Sequence, residues 1–265
     1  MKRLILAAML TTGLAGAAQA DNALKAAIAS KERAPENVLR DSARHPYETL
    51  TFFGIKPNMI VAELSPGAGW YTEILAPYLS DKGALIVAGE SPASPSESAR
   101  RYADRLTKKL ESKPGMYSQV QRGVFEPNRN IDFALPASVD MVVTFRNLHN
   151  WTSLGDAKLN AALKSVHTAL KPGGVFGVVE HRMPASKPAK ADSGYLHEAA
   201  VIKMIESAGF KLAEKSEVNA NPKDTADHNK GVWALPPSLA NKDVDKAKYM
   251  AIGESDRMTL KFIKQ

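Results

Sequence analysis

The chain has no cysteine among its 265 residues. This absence excludes disulfide bonds, thiolate metal ligands and a cysteine nucleophile, so an oxidising compartment would impose no redox chemistry on the protein. Aromatic residues are few, at 7%, and no basic stripe with interleaved aromatics occurs, which argues against nucleic-acid binding. The net charge of +7 comes from scattered basic residues such as Arg100 and Arg101, which solvated helix faces explain.

A long apolar run occurs only at the N-terminus. Lys2 and Arg3 precede an apolar run from Leu4 to Ala17, and Ala18-Gln19-Ala20 fits a small-x-small cleavage site. The run is shorter than the roughly 18 residues that a spanning helix needs, which favours a signal peptide, residues 1–20, over a membrane anchor. We therefore expect an exported, periplasmic protein that begins at Asp21 and has no stable membrane span after signal removal.

The segment from Met59 to Trp70, MIVAELSPGAGW, joins an apolar strand to a glycine-bearing turn. Gly67 and Gly69 allow the backbone to turn tightly and to approach a ligand with no side chain in the way. Residues 71–78 can then form a helix whose first amide groups face the same turn. This strand, turn and helix predict the entrance to a nucleotide pocket.

Strands and helices alternate along the rest of the chain. After the strand at residues 60–62, apolar strands are predicted at 84–90, 120–125, 140–145, 175–180, 210–218 and 258–263. Helices are predicted between them at 71–78, 96–112, 155–170 and 198–207. This alternation predicts an α/β fold with a doubly wound, mostly parallel sheet, and ligands bind beyond the carboxyl ends of the strands in such sheets.

Two segments lie outside this alternation. Residues 21–58 are predicted as an N-terminal helical arm, with one helix from Asn22 to Ser42 and another from Tyr47 to Phe53. Residues 219–255 are too long and polar for a simple hairpin turn, so we expect an insertion that forms a lobe or lid over the site. Residues 59–265, including that insertion, are expected to form one domain.

Glu63, Gly67 and Gly69 match the pattern acidic-x-Gly-x-Gly-x-Gly, with Ser65 at the first glycine position. This segment resembles motif I of class I S-adenosylmethionine-dependent methyltransferases, and a serine is tolerated there if its φ stays below zero. The segments AGFKLAEKSEV and DRMTLKFIKQ resemble the last two strands of that family. The resemblance implies a Rossmann-like, seven-stranded sheet with a C-terminal antiparallel hairpin.

A narrower resemblance comes from RHPYETLTFFGIKPNMIVAELSPGAGWYTEIL, RNLHNW and DRMTLKFIK. These segments are similar to those of exported or periplasmic, methyltransferase-like bacterial proteins. The cofactor that the resemblance implies is S-adenosyl-L-methionine, and the partner is a small-molecule substrate.

The resemblance also implies which residues hold the cofactor. Glu90 ends the second strand, where the family has a carboxylate that accepts hydrogen bonds from both ribose hydroxyls. Glu63 would lie near the methionine portion, and Phe125 and Glu126 near the adenine. The alternatives are a surface acid at Glu90 and ordinary core packing at Phe125. The full implied set is Glu63, Ser65, Gly67, Gly69, Trp70, Glu90, Phe125, Glu126 and Asn147.

The segment RNLHNW, residues 146–151, is the densest polar and aromatic cluster and follows the fourth strand. Methyl transfer requires alignment of the nucleophile and sometimes removal of a proton. His149 could be the base, because its unperturbed pKa lies near neutrality. Asn147 could hold cofactor or substrate, and Trp151 could wall the substrate pocket or face the cationic sulfonium. In the alternative, His149 merely packs beneath the next helix.

Further polar residues follow the fifth strand. His181 is another candidate catalytic residue, Arg182 could bind an anionic group of the substrate or pair with an acidic neighbour, and Tyr195 is a candidate substrate contact. No histidine has the local spacing of a zinc site, so no metal site is expected.

These residues together predict S-adenosylmethionine-dependent methyl transfer to an unidentified small molecule. A non-catalytic exported binding protein that retains the fold is the alternative, because fold does not certify activity. A nicotinamide-dependent oxidoreductase is favoured by the glycine turn but opposed by the missing third glycine and by the final hairpin.

Overall fold

The structure is a computed structural model that describes residues 22–265, so the predicted signal peptide lies outside the described residues. This part of the chain is built around one sheet of eight strands. In chain order they are β1 Ile60–Leu64, β2 Ala84–Gly89, β3 Gln121–Val124, β4 Val139–Phe145, β5 Leu170–Met183, β6 Leu196–His197, β7 Phe210–Ser216 and β8 Arg257–Lys264.

The order of the strands confirms the predicted fold. Seven strands run β3-β2-β1-β4-β5-β8-β7, and the short β6 pairs with the end of β5. Strands β1 to β5 pair in parallel, whereas β8 is antiparallel to both β5 and β7. The sheet is therefore Rossmann-like and mostly parallel, and its antiparallel part is the C-terminal pair.

Helices cover both faces of the sheet. Residues 22–28 are helical and are called α1 here. The others are α2 Pro35–Val38, α3 Asp41–Arg44, α4 Pro46–Phe53, α5 Thr72–Leu79, α6 Glu97–Ser112, α7 Pro114–Tyr117, α8 Leu148–Thr152, α9 Asp156–Ala169, α10 Glu198–Glu206 and α11 Lys246–Ile252.

The side chains of each strand alternate between two buried cores, as the pleat of a strand requires. Leu64 and Val142 pack with Leu163 of α9 on one face. Val61 and Val143 pack on the other face, with the aromatic and aliphatic side chains of α4 and α5. Because both faces are buried, the strands read as continuous apolar runs, and this is why they could be predicted.

The N-terminal arm differs from the prediction. The expected helix from Asn22 to Ser42 is broken into α1, α2 and α3. Ala34 has an extended conformation, with ψ of 129°, because Pro35 disfavours helical geometry in the residue before it. The side chain of Arg33 closes this bend by two hydrogen bonds to the carboxylate of Asp41, at 2.7 and 2.8 Å.

The segment between β7 and β8 is folded against the sheet. It contains a turn of 3-10 helix at Gly231–Ala234 and helix α11. Asn219, near its start, donates hydrogen bonds to the hydroxyls of Thr49 and Thr259, at 2.9 and 3.0 Å. Within residues 22–265, no helix combines the length and apolar character needed to cross a bilayer.

Candidate functional site

A cavity of about 540 Å³ lies at the carboxyl edge of the sheet. Its walls come from the turn after β1, the ends of β2 and β4, the loop after β3, and helix α6. The volume falls in the range of about 300–1,000 Å³ that is usual for small-molecule sites. Six of the predicted site residues line it: Ser65, Gly67, Glu90, Glu126, Asn147 and Trp151.

The turn after β1 forms the floor of the cavity, and here one expectation is wrong. Ser65 has a φ of 51°, not a negative value, so it adopts the left-handed conformation that usually requires glycine. Gly67 has a φ of 60°, and no atom lies within 4 Å of the position of a β-carbon added to it. The backbone at Gly67 is therefore open toward the cavity.

Gly69 and Glu63 support this turn from behind, and neither lines the cavity. A β-carbon on Gly69 would lie 3.3 Å from the hydroxyl of Thr72, at the start of α5. That hydroxyl donates a 2.6 Å hydrogen bond to the carboxylate of Glu63. Burial raises the pKa of Glu63 to about 8, although the Thr72 hydrogen bond and the charge of Arg146 act in the opposite direction.

Two carboxyl groups face the cavity. Glu90 follows β2, and Glu126 follows β3 and is only 4% exposed. Partial burial, together with the negative charge and hydrogen bonding of Glu126, raises the pKa of Glu90 to about 7. The two groups thus form an acceptor-rich part of the wall, and the charge of Glu90 changes near neutral pH.

Asn147 and Trp151 form the wall below β4. The amide nitrogen of Asn147 lies within hydrogen-bonding distance of the carbonyls of Leu64 and Ser65, at 3.3 and 3.2 Å, and of the hydroxyl of Thr144, at 3.0 Å. The amide oxygen remains as an acceptor. Asn147 therefore fixes the turn after β1 as well as lining the cavity, and the buried indole of Trp151 provides an aromatic surface beside it.

The structure places two predicted cofactor residues away from the cavity. The Trp70 indole donates a 2.9 Å hydrogen bond to the carbonyl of Asn37 and packs against the guanidinium groups of Arg33 and Arg44. Phe125 is fully buried, and its ring centroid lies 5.1 Å from that of Trp151. Trp70 therefore holds the N-terminal arm, and Phe125 backs the aromatic wall.

The predicted catalytic histidines meet at a second cluster, beside the end of β5. His149 Nδ1 lies 2.9 Å from a carboxylate oxygen of Glu180, whose two oxygens also accept the backbone N–H groups of His149 and His181. His181 Nδ1 lies 2.6 Å from the hydroxyl of Ser255. Burial and nearby positive charges hold the pKa of His181 well below its usual value.

Glu180 was missing from the predicted site residues. Its position beside His149 and His181 shows that the local spacing of histidines was not a sufficient reason to expect no metal site. His149, Glu180 and His181 each offer one ligand atom, and these atoms lie within 4.8 Å of one another. Two imidazoles and a carboxylate are ligands that divalent transition metals accept. Local spacing could not reveal this group, because pairing of β4 with β5 brings its members together.

The two predicted substrate residues beyond β5 are occupied by other partners. Arg182 forms ion pairs with Asp256, Glu217 and Glu198, so the acidic-neighbour interpretation describes it. The hydroxyl of Tyr195 donates to the carboxylate of Asp224. Neither residue lines the cavity.

The insertion does not cover the cavity in the way that a lid would. Among residues 22–265, no cavity-lining residue belongs to 219–255. Trp233 instead packs against His149, with ring centroids 5.9 Å apart. The insertion therefore packs against the histidine cluster, whereas α6 and the segments at the strand ends line the cavity.

No protein-family model and no curated protein sequence matches this chain. Solved structures do match its fold. A SAM-dependent methyltransferase from Aquifex aeolicus superposes with a TM-score of 0.56 at 17% identity, over 92% of this chain and 98% of that one. A putative sarcosine dimethylglycine methyltransferase from Galdieria sulphuraria gives 0.57 at 12%, over 86% and 85%.

The same architecture also occurs in a protein named for another reaction. SpnF, described as a 4+2 cyclase, superposes with a TM-score of 0.55 at 15% identity, over 84% of this chain and 81% of that one. At these identities the likeness establishes the fold, which is that of S-adenosylmethionine-dependent methyltransferases.

Proposed function

We propose that this protein binds S-adenosyl-L-methionine in the 540 Å³ cavity and transfers its methyl group to a small molecule. The observation that carries this proposal is the meeting of the open turn at Gly67 with the carboxyl groups of Glu90 and Glu126 in one cavity. Carboxylates accept hydrogen bonds from vicinal hydroxyls, and a glycine turn lets the backbone approach a ligand. The fold shared with methyltransferases from two organisms supports the same conclusion.

The residues around the cavity suit the parts of that cofactor. Glu90 would accept the ribose hydroxyls, and the indole of Trp151 offers a flat surface for the adenine. The backbone at Gly67 and the free amide oxygen of Asn147 are placed for the polar methionine end. A cation in the cavity would favour the charged form of Glu63, behind the turn, and so oppose the effect of burial on its pKa.

When bound, S-adenosylmethionine supplies an electrophilic methyl group on a sulfonium centre. The chain would align the acceptor and exclude water. Because a carboxylate only accepts hydrogen bonds, Glu180 requires that His149 Nδ1 carry a proton, and this leaves Nε2 free to take a proton from the acceptor. His149 does not line the cavity, but its neighbours Asn150 and Trp151 do. In this proposal the acceptor extends from the cavity to His149, which is the base, and Glu180 positions it.

A calorimetric titration of the chain from residue 21 onward with S-adenosylmethionine tests binding. We expect saturable binding by the unsubstituted protein and at least a tenfold weaker affinity for Gly67→Ala, because the added methyl group projects into the cavity. Gly173→Ala is the matched control, since Gly173 also has a positive φ, 72°, and free space around it, but lies in the irregular first part of β5, between Leu170 and Val175, at the opposite edge of the sheet. No binding at millimolar ligand, or equal affinity in Gly67→Ala, would reject the proposed cavity.

The second candidate is a binding protein without methyltransferase activity. This candidate is favoured by the occurrence of the same architecture in a protein named as a cyclase, because the fold alone does not specify the reaction. Incubation with S-adenosylmethionine and a small-molecule library, followed by detection of S-adenosylhomocysteine by mass spectrometry, distinguishes the two. Product formation that is lost in His149→Ala supports transfer, and tight binding without product across the library supports the binding protein.

We further propose that the protein is exported and matures at Asp21. The basic start, the apolar run and the small-x-small site support this. N-terminal sequencing of protein recovered from the periplasmic fraction is expected to begin at Asp21. Recovery of an intact Met1 in the cytoplasm would contradict export.

A further inference from the structure

Four arginines gather around one carboxylate near the histidine cluster. Glu254 forms ion pairs with Arg40 at 2.7 Å, Arg44 at 3.3 Å and Arg257 at 3.2 Å. Arg146, which follows β4, lies within the electrostatic reach of the same group. These residues, Arg40, Arg44, Arg146 and Arg257 with Glu254, are called the arginine cluster here.

The arginine cluster holds more positive charge than its surroundings neutralise. The side chains of Arg44 and Arg257 are each only 3% exposed. Other acids nearby are engaged elsewhere, since Asp256 pairs with Arg182 and Asp41 pairs with Arg33. The cluster therefore places several like charges in a largely buried region, which is costly unless an opposite charge is added.

Hydrogen-bond donors of the arginine cluster are also unused. Among residues 22–265, Arg40 Nη2 and Arg44 Nη1 are buried and lack an acceptor. Within the same residues, the ion pairs of Glu254 go to Arg40, Arg44 and Arg257 and do not include Arg146. Anchoring the N-terminal arm through Glu254 accounts for the other contacts, but it accounts for none of these donors.

The position of Arg146 is also conformationally unfavourable. Its φ is 63°, in the left-handed region that a non-glycine residue adopts only when its surroundings impose it. Arg146 lies between β4 and Asn147, which lines the cavity. Its backbone N–H donates a 2.7 Å hydrogen bond to the carbonyl of Val179, so the strained residue is fixed between β4 and β5.

We propose that the arginine cluster binds an oxyanion, a carboxylate or phosphate group, and that this group belongs to the small molecule on which the protein acts. Guanidinium groups match both oxyanions through paired N–H donors. Four guanidinium groups around the single carboxylate of Glu254 leave a net positive charge, which favours an anion rather than a cation. The link to the substrate rests on the proposed methyl transfer, whereas the binding of an oxyanion does not.

The test compares thermal unfolding of the unsubstituted chain, Arg146→Gln and Arg101→Gln, with inorganic phosphate or succinate against chloride at equal ionic strength. Arg101 is the control because it carries the same charge on an exposed face of α6, where its side chain is 61% exposed and pairs with Glu97. We expect phosphate or succinate to raise the unfolding temperature of the unsubstituted protein and of Arg101→Gln by roughly 5 °C at saturation.

Arg146→Gln distinguishes a ligand site from a structural role. Removal of a like charge is expected to raise the unfolding temperature in chloride and to abolish the response to the oxyanion. A larger response to phosphate than to succinate identifies a phosphate ligand, and the reverse identifies a carboxylate. The inference is overturned if neither oxyanion acts beyond chloride, or if Arg146→Gln responds as the unsubstituted protein does.

The same samples separate this inference from the proposed function. If S-adenosylmethionine fails to bind in calorimetry while the oxyanion response depends on Arg146, the methyltransferase proposal fails and the oxyanion site stands. If the cofactor binds and no oxyanion response occurs, the oxyanion site fails alone.

Discussion

Glu63 is a buried carboxyl group whose protonation the folded structure controls. Its pKa is raised from 4.5 to about 8 by burial, so between these values the folded protein holds a proton that the unfolded chain has released. The free energy of unfolding must then fall as the pH rises through this window.

Glu63→Gln should remove this part of the pH dependence. The amide can still accept the hydrogen bond from Thr72 and carries no charge to bury, so we expect the variant to be more stable than the unsubstituted protein at pH 8, by up to a few kcal/mol, and nearly equal at pH 5. Urea unfolding at both pH values measures the difference. Glu111→Gln, on an exposed residue of α6, serves as the control, and an equal effect of both substitutions would contradict the assignment.

Glu90 should make cofactor affinity depend on pH. Its pKa of about 7 means that acidification protonates the group that would accept the ribose hydroxyls, so the dissociation constant should rise as the pH falls through 7. In Glu126→Gln the pKa of Glu90 is expected to be lower, because the neighbouring charge is gone. Calorimetric titrations between about pH 5.5 and 8.5 should therefore show the loss of affinity at a lower pH in that variant. If affinity is lost at the same pH in both proteins, the charge of Glu126 does not affect the pKa of Glu90.

The sequence predicted single residues well where one local feature decided their role. Gly67 and Glu90 line the cavity, as expected, because a turn and a strand end place them at the sheet edge. Glu180 and Arg146 were not among the predicted site residues, because the groups around them come from parts of the chain far away in sequence. Ser65 shows the limit of a local rule, since its positive φ is imposed by the turn that contains it.

At the scale of elements, the central strand β5 packs tightly against helix α4. A β-carbon added to Gly177 would lie 2.8 Å from the ring of Phe53, which is fully buried. Since β5 lies between β4 and β8, the strand cannot shift outward to relieve this contact.

Gly177→Ala is therefore expected to destabilise the protein by about 1–3 kcal/mol through overpacking. Gly115→Ala provides the matched control, because Gly115 lies in the short helix α7 with no atom within 4 Å of an added β-carbon. That substitution should be neutral or slightly stabilising. Denaturant unfolding of both variants measures the difference, and similar midpoints would show that Phe53 can move aside.

Strands and helices were predictable where burial on two faces or a helical period was strong. Helix α6 was expected at residues 96–112 and is observed at Glu97–Ser112, with Ser96 as its cap. The prediction of one helix from Asn22 to Ser42 was wrong, in part because Pro35 disfavours helical geometry at Ala34, inside the predicted span. The two-residue β6 has no signal of its own, since it forms by pairing with β5.

At the scale of the whole molecule, Glu254 joins three separate parts of the chain. Through its carboxylate the insertion contacts Arg40 and Arg44 of the N-terminal arm and Arg257 at the start of β8. The arginines hold its pKa at about 2, against the effect of burial. Its stabilising contribution is therefore complete above about pH 4.5 and is lost as the pH falls toward 2.

Glu254→Gln should destabilise the protein at neutral pH by about 3–5 kcal/mol, because it leaves buried guanidinium groups without their counter-charge. Phosphate or succinate should restore part of this loss if the arginine cluster binds oxyanions. The control is Glu214→Gln, whose carboxylate is 60% exposed and lies 4.0 Å from Lys261. Stability equal to that of the control would show that Glu254 does not hold these parts together.

The place of β8 in the sheet affects when the fold can be completed. This strand is the last in the chain, yet it fills the gap between β5 and β7 rather than an outer edge. Until it has been synthesised, β5 and β7 have no direct partner between them, and the sheet exists as two unjoined pieces. The central pairing of the sheet therefore joins residues far apart in the sequence, and such pairing is slow because loop-closure entropy must be paid before the contacts form.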